Sequence, residues 1–333
     1  MNKKKLFDKR CIVIVFILQL VLINASNYRD LKCQFCANSI KGRYIIQEKK
    51  VYHEICYREH VQLRCDYCDE IINNSYNIDR GKKYHKSCYR ENILEKCDVC
   101  FQPIDSEYVK DHYNNLYHNS HRSSMPLCES CNRLICKAIT NGGYSINSQR
   151  NICNICWQFV VNKTLIIDKI YNELHMEFVN IGIENIPKSI PVILIDDKEE
   201  LNRIAGVRLS DGIQGYTKYD YQTIGKKIIN KSFNIYILSN LHELNFRAVL
   251  AHEFLHVYLF NNNIQMRDSL IEGFCNLGSE HIYNANKNNK MSQLKLKSMF
   301  ENNHPEYGEG FRIMNAELKR KGWRNLLNNL EKY

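Results

Sequence analysis

His252-Glu253-Phe254-Leu255-His256 is the stretch from which the rest of this chain is read. It lies between Phe246-Arg-Ala-Val-Leu-Ala and Val257-Tyr-Leu-Phe, a run without Gly or Pro whose apolar positions predict a buried helix. Residues four apart share a helix face, so His252 and His256 can turn imidazole nitrogens toward one ion while Glu253 stands beside it without ligating. With 12 histidines and 22 glutamates in 333 residues, about 3% of chains of this composition would carry the pattern by chance, so context must decide. Two histidines and a glutamate facing into an apolar helix packing are costly unless satisfied, and zinc satisfies all three; the rival reading is a helix with hydrogen-bonded surface histidines. Sixteen positions after His256, Glu272-Gly273 supplies a third ligand on what reads as a second helix. Three protein ligands leave one position open for water, the mark of a catalytic zinc as against a structural one.

The 15 cysteines fall on a repeat of about 32 residues. Cys33 and Cys36 are followed by His53 and Cys56, Cys65 and Cys68 by His85 and Cys88, Cys97 and Cys100 by His118 and His121, and Cys128 and Cys131 by Cys153 and Cys156. Two residues separate the members of each leading pair, and the gaps to the following pair are 16, 16, 17 and 21. Such pairs grip a tetrahedral zinc from a tight turn, and a hairpin returns the second pair to close it, so these sets predict four structural zincs. A disulfide framework is the rival explanation, favoured by an export signal. Disulfides account for the cysteines but not for the histidines standing where ligands belong, and zinc is the reading adopted. Cys11, Cys136 and Cys275 lie outside the scheme. Modules with so little apolar sequence draw much of their folding free energy from the metal.

The amino terminus opens with Lys3-Lys4-Lys5, Lys9 and Arg10, followed by an apolar run from Cys11 to Ile23 broken by Gln19. The run is short for a membrane span, which needs about 20 residues. A cleaved signal peptide over 1–25, with Ala25 as the small residue before the cut, is the reading preferred over an uncleaved anchor or a cytosolic amino-terminal helix. It places the protein outside the cytoplasm, secreted or in the cell envelope, with cytoplasmic as the alternative. The net charge of +10 is spread, with +4 in residues 1–30, +4 in 31–160 and +2 in 161–333. Once metallated, each set of three cysteines and one histidine carries about −1, the set of two cysteines and two histidines 0 and the all-cysteine set −2, which cancels the excess of the zinc region and argues against a nucleic-acid partner.

After Trp157 the cysteine repeat stops, and a new domain is expected over 158–333. Asn162–Phe178 has helical spacing, while Pro191-Val-Ile-Leu-Ile-Asp and Asn234-Ile-Tyr-Ile-Leu-Ser read as strands. Ile235–Leu238, just upstream of the zinc helix, is the candidate strand for pairing with an extended substrate backbone. Tyr52-His53, Tyr84-His85 and Tyr117-His118 place an aromatic residue before each ligand, as in LIM domains. Spacers of eight, eight and six residues between modules, where LIM domains use two, make this a tandem array of LIM-like modules over 26–157. Those modules, then Ala251-His-Glu-Phe-Leu-His-Val, Glu272-Gly-Phe-Cys and Tyr307-Gly-Glu-Gly-Phe-Arg312, resemble the plant LIM-containing, ubiquitin-activated peptidases of the DA-one family. Gly206-Val-Arg-Leu-Ser210 and Gly215-Tyr-Thr217 add to the resemblance, which covers about 160–333. It implies an α+β fold, a zincin (gluzincin-like) metallopeptidase domain behind the zinc modules, acting as an endopeptidase on protein substrates. The sequence departs from the family in lacking a ubiquitin-interacting helix and in its export signal, so ubiquitin activation is not carried over.

One catalytic and four structural zincs are therefore expected, with His252, His256 and Glu272 as the catalytic ligands and Glu253 as the general base that takes a proton from water and passes it to the leaving nitrogen. The resemblance offers Tyr307 as a second donor to the oxyanion. Asn276, one turn after Glu272, is a candidate to hold a ligating histidine in its tautomer. Cys275 reads as core, His242, His281 and His304 as packing or surface residues, and Arg312 as binding substrate or pairing with a carboxylate. The expected partners are a protein or peptide substrate and a protein recognised by the zinc modules, with membrane contact only through an uncleaved amino-terminal segment. The alternative function is a non-catalytic adaptor whose peptidase-like domain is inactive.

Overall fold

Each of the four leading Cys-x-x-Cys pairs is built on the same turn, in which the residue four after the first cysteine donates its N–H back to that cysteine's carbonyl at 2.8–2.9 Å. Ala37, Asp69, Phe101 and Asn132 fill this position with φ of 58–61°, a left-handed conformation that non-glycine residues adopt at a cost. The computed structural model that shows this describes residues 3–4, 31–207, 212–224 and 227–333. The expected signal segment, from Cys11 through Ala25, lies outside the described residues, as does 208–210 of the segment Gly206–Ser210. No described helix is long and apolar enough to cross a membrane.

The architecture is mixed α+β, in two compact units. Among the described residues, one holds those up to Val109 together with Leu116–Asn119; the other holds Lys110–Asn115 and those of Ser120–Tyr333. In the first unit, antiparallel hairpins Tyr44–Gln47/Lys50–His53 and Tyr76–Asp79/Lys82–His85 follow the first two knuckles. Their two-residue turns, Glu48-Lys49 and Arg80-Gly81, have positive φ throughout, the turn geometry that matches strand twist. The tyrosine before each ligand histidine points to the opposite strand face, and Tyr52 and Tyr84 are buried against Tyr57 and Tyr89.

The second unit begins with the fourth knuckle and its hairpin, β1 (Gly143–Ser145) and β2 (Asn151–Cys153). There follow β3 (Val160–Val161), α1 (Thr164–Asn180), β4 (Val192–Ile195), α2 (Lys198–Ala205), β5 (Gly215–Ile224), β6 (Lys227–Leu238), β7 (Leu241–His242), α3 (Glu243–Asn261), α4 (Asp268–Ala285), α5 (Lys290–Glu301) and α6 (Phe311–Leu327). The main sheet runs β4-β6-β5, with β4 parallel and β5 antiparallel to β6. Twelve of the 19 residues of α3 are buried, which makes it the central helix of the unit. Phe254 meets Tyr171 and Phe178 of α1 edge to face at 4.8 and 6.0 Å between ring centres. On another side α4 comes so close that a Cβ on Gly278 would stand 2.5 Å from the carbonyl oxygen of Ala251.

The cysteine repeat ends at Trp157, but packing divides the chain between 119 and 120. Cys128, Cys131, Cys153, Cys156 and Ile152 are part of the same buried cluster as α1, β6 and α3. Arg150, fully buried, fastens this junction: its Nε donates to Glu129 between the knuckle cysteines at 2.9 Å, Nη1 to the Asp196 carbonyl at 3.0 Å and Nη2 to the Ser239 carbonyl at 2.7 Å. Nothing in the spacing of the cysteines announces this arginine.

Candidate metal centre and its cleft

Helix α3 carries His252 and His256 on one face, and α4 brings Glu272 to meet them. The two Nε2 atoms are 3.1 Å apart, His252 Nε2 lies 3.2 Å from Glu272 Oε2, and His256 Nε2 lies 3.5 Å from Glu272 Oε1. Ligand atoms about 2.0–2.1 Å from one tetrahedral zinc stand roughly 3.3 Å from each other, so the three donors fit that ion. His252 Nδ1 faces Asn276 Oδ1 at 3.1 Å, and the Asn276 amide in turn donates to the Tyr307 carbonyl at 3.1 Å. With the Nδ1 proton donated to Asn276, His252 Nε2 presents a lone pair. That explains why Glu272 Oε2 is buried without a hydrogen bond although an imidazole nitrogen is 3.2 Å away: both atoms offer electron pairs, and a cation between them would satisfy both.

Glu253 does not join the donor set; its carboxylate turns toward β5. Thr217 donates its hydroxyl to Glu253 Oε2 at 2.8 Å, and burial pushes the Glu253 carboxyl up against the pull of the neighbouring imidazoles. The donors border a cavity of 540 Å³ whose walls include Tyr216, Tyr219, Phe260, Ile271 and Tyr307. Tyr307 reaches it on the turn Pro305–Gly310, which His304 caps by accepting backbone N–H groups at Nδ1. This turn lies directly on α4: a Cβ on Gly273 would stand 2.2 Å from the Gly310 carbonyl carbon, and one on Gly310 would stand 2.3 Å from the Ser269 carbonyl oxygen. The glycine after Glu272 and the second glycine of Tyr307-Gly-Glu-Gly thus serve one contact, which holds Tyr307 over the cleft.

Two expectations need correcting. Ile235–Leu238 cannot receive a substrate strand, because β6 is central and these residues pair with β4 on one side while Ile235–Ile237 pair with β5 on the other. The strand at the cleft is β5, an edge of the sheet among the described residues, whose Gly215, Tyr216 and Thr217 line the cavity. Among the described residues Arg312 pairs with no carboxylate, and it does not line the cavity; its Nη1 donates to the carbonyls of Phe300 and Asn302 and so caps the end of α5. The other minor residues stand as read. Cys275 is fully buried with its thiol pushed well up by that burial, His242 accepts the Leu244 N–H at the start of α3, and His281 pairs with Glu177 at 2.8 Å.

The cysteine–histidine sets gather as the spacing predicts. Cys33, Cys36, His53 and Cys56 form one group and Cys65, Cys68, His85 and Cys88 a second, each with ligand atoms within 4.8 Å of one another. Cys97, Cys100 and His118 gather likewise, and His121 follows His118 in the helix Asn119–Ser124. In the second unit Cys128, Cys131, Cys153 and Cys156 form a fully buried set. His53, His85 and His118 direct Nδ1 at a cysteine sulfur 3.4–3.5 Å away, while Nε2 lies 3.1–3.3 Å from the carbonyls of Ser39, Ile71 and Pro103. A proton held on Nε2 by those carbonyls leaves each Nδ1 as an electron-pair donor. Sulfur and nitrogen ligands of one tetrahedral zinc are about 3.5 Å apart and two sulfurs about 3.8 Å; Cys131 and Cys153 are 3.7 Å apart. Burial works to raise the Cys33 and Cys65 thiols, but backbone N–H groups, including those of His53 and His85 at 3.4 Å, hold both down to about 6. None of the described cysteines is in a disulfide. Against known proteins, the chain matches neither a protein-family model nor a curated sequence.

Proposed function

We propose that this chain is a zinc-dependent endopeptidase with a zincin-like, gluzincin-type catalytic domain, acting on protein or peptide substrates and carrying LIM-like modules that recognise a partner or regulate the enzyme. The observation that carries the proposal is the separation of roles on α3: His252 and His256 converge on Glu272, while Glu253 is held by Thr217 outside that donor set. A zinc ion bound by His252, His256 and Glu272 would supply Lewis-acid polarisation and would lower the pKa of water in its open position. The chain supplies the rest. Glu253, which borders the same cavity as the donor set, would take the proton from the attacking water and deliver it to the leaving amine nitrogen. Strand β5 would offer backbone hydrogen bonds to an extended substrate, and Tyr307, which lines the same cavity, would be the second donor to the developing oxyanion. The four cysteine–histidine sets have full complements of four protein ligands and act as structural sites.

The deciding experiment pairs metal content with cleavage of casein by wild type and Glu253→Gln. Five zincs per chain are expected, with a loss of at least about 100-fold in turnover for Glu253→Gln at unchanged metal content. Four zincs, or wild-type turnover in Glu253→Gln, would leave the adaptor reading in its place.

A further inference from the structure

From the packing of β5 on α3 we infer that Gly215 and Thr217 are the positioning residues of Glu253, one by the space it leaves and the other by the hydrogen bond it donates. The inference rests on Glu253 being the general base. Residues two apart in a strand share a face, and Gly215 and Thr217 are so placed on β5, with Glu253 opposite them on α3. Thr217 Oγ1 lies 2.8 Å from Glu253 Oε2 and 3.3 Å from the Glu253 backbone carbonyl, so its single proton is better given to the carboxylate. A Cβ built on Gly215 would stand 2.6 Å from Glu253 Oε1 and 2.6 Å from Val249 Cγ1, so any larger residue would displace the second carboxylate oxygen or the Val249 side chain.

These contacts divide the labour between the two oxygens. Oε2 is fixed by the hydroxyl, and Oε1, against the bare backbone of Gly215, is left to accept the proton from water. Glu253 is only 3% exposed, so solvent can do little to replace a lost hydrogen bond. Because Gly215 and Thr217 also line the cleft on β5, a substrate backbone paired with β5 would lie on the strand that aims the base. Docking and base orientation would then depend on one rigid element.

Thr217→Val keeps the shape of the side chain and removes the hydroxyl; Thr217→Ser keeps the hydroxyl. Using the full-length, zinc-loaded protein and fluorogenic casein, Thr217→Val should lower kcat by about 10- to 100-fold while KM and zinc content stay near wild type; the unpaired carboxylate lowers the melting midpoint, but the variant stays folded at the assay temperature. Thr217→Ser should recover most of the loss. Independently of turnover, a crystal structure of Thr217→Val should show the Glu253 carboxylate turned from its place, with His252, His256 and Glu272 unmoved. The inference is overturned if Thr217→Val keeps wild-type kcat, if its loss lies in KM, zinc content or folding, or if its Glu253 carboxylate has not moved. Glu253→Gln separates this from the larger reading. If that variant is inactive while Thr217→Val is not, only the positioning role fails; if Glu253→Gln cleaves like wild type, the peptidase reading itself fails.

Discussion

Replacing Arg150 with Met should unfasten the fourth zinc knuckle from the sheet that positions the zinc helix. The guanidinium is 0% exposed and gives its protons to Glu129, to the Asp196 carbonyl after β4 and to the Ser239 carbonyl after β6. Methionine fills much of the volume but donates nothing, which leaves two carbonyls without that partner at about 1–3 kcal/mol each. Glu129 is partly rescued, because Lys198 Nζ stays 2.7 Å from its other oxygen. Breaking a buried pair outright costs about 3–5 kcal/mol, but with Lys198 retained most of that is spared, so the two carbonyls dominate and the expected loss is about 3 kcal/mol. Set against a typical total of about 5–15 kcal/mol, that is a large fraction. Both tryptophans, Trp157 and Trp323, lie in the second unit, so their fluorescence during urea unfolding reports that unit alone. The comparison must be made at fixed free zinc, since metal binding shifts the midpoint by mass action. A lower midpoint at unchanged slope is expected, with the cysteine–histidine sets of the first unit still loaded. A loss below about 1 kcal/mol would refute the view that the buried arginine joins knuckle and sheet.

Asn276→Ala removes the acceptor facing His252 Nδ1, and zinc affinity at the His252–His256–Glu272 site should fall about 10- to 100-fold in a competition titration against a chelator, with the four cysteine-containing sites unaffected. Gly273→Ala drives a methyl group into the turn that carries Tyr307, where backbone cannot yield as a side-chain end can. It should cost about 1–3 kcal/mol in thermal unfolding, and turnover should drop further than that loss of stability explains, because Tyr307 is carried away from the cleft. Wild-type melting and turnover in this variant would show that the contact between α4 and the turn is not needed.

The metal centres were legible because ligands obey rules of spacing that survive without any knowledge of packing. His252 and His256 are one helical turn apart on a helix with buried residues all round it, and such a helix must be the centre of something. Asn276 follows from the same arithmetic, one turn past Glu272. The knuckle pairs depend on a local turn that repeats at Ala37, Asp69, Phe101 and Asn132, and a local device shows in sequence. Strand order is not local. Apolar runs at 191–196 and 234–239 announce two strands, but nothing in either run tells which is central, and the strand that does lie at the cleft, β5, reads Gly-Tyr-Thr-Lys-Tyr-Asp-Tyr-Gln-Thr-Ile, with half its residues polar. An edge strand with one wet face alternates, and its signal is weaker than that of the more apolar β6.

Cysteine spacing and packing divide the chain differently, for a related reason. Cysteine spacing reports which residues share a metal, and it treats the four knuckles as equivalent. Burial distinguishes them: the first two pack around their own tyrosines, whereas all four cysteines of the last are closed off inside the cluster that includes α3. A metal set with its own small core can be lost without consequence for its neighbours, but one that shares a core with the zinc helix cannot. Cys153→Ser should therefore lower the midpoint of the tryptophan-monitored transition, while Cys65→Ser leaves it in place. Equal effects from the two substitutions would mean that the shared core carries no share of the stability of the second unit.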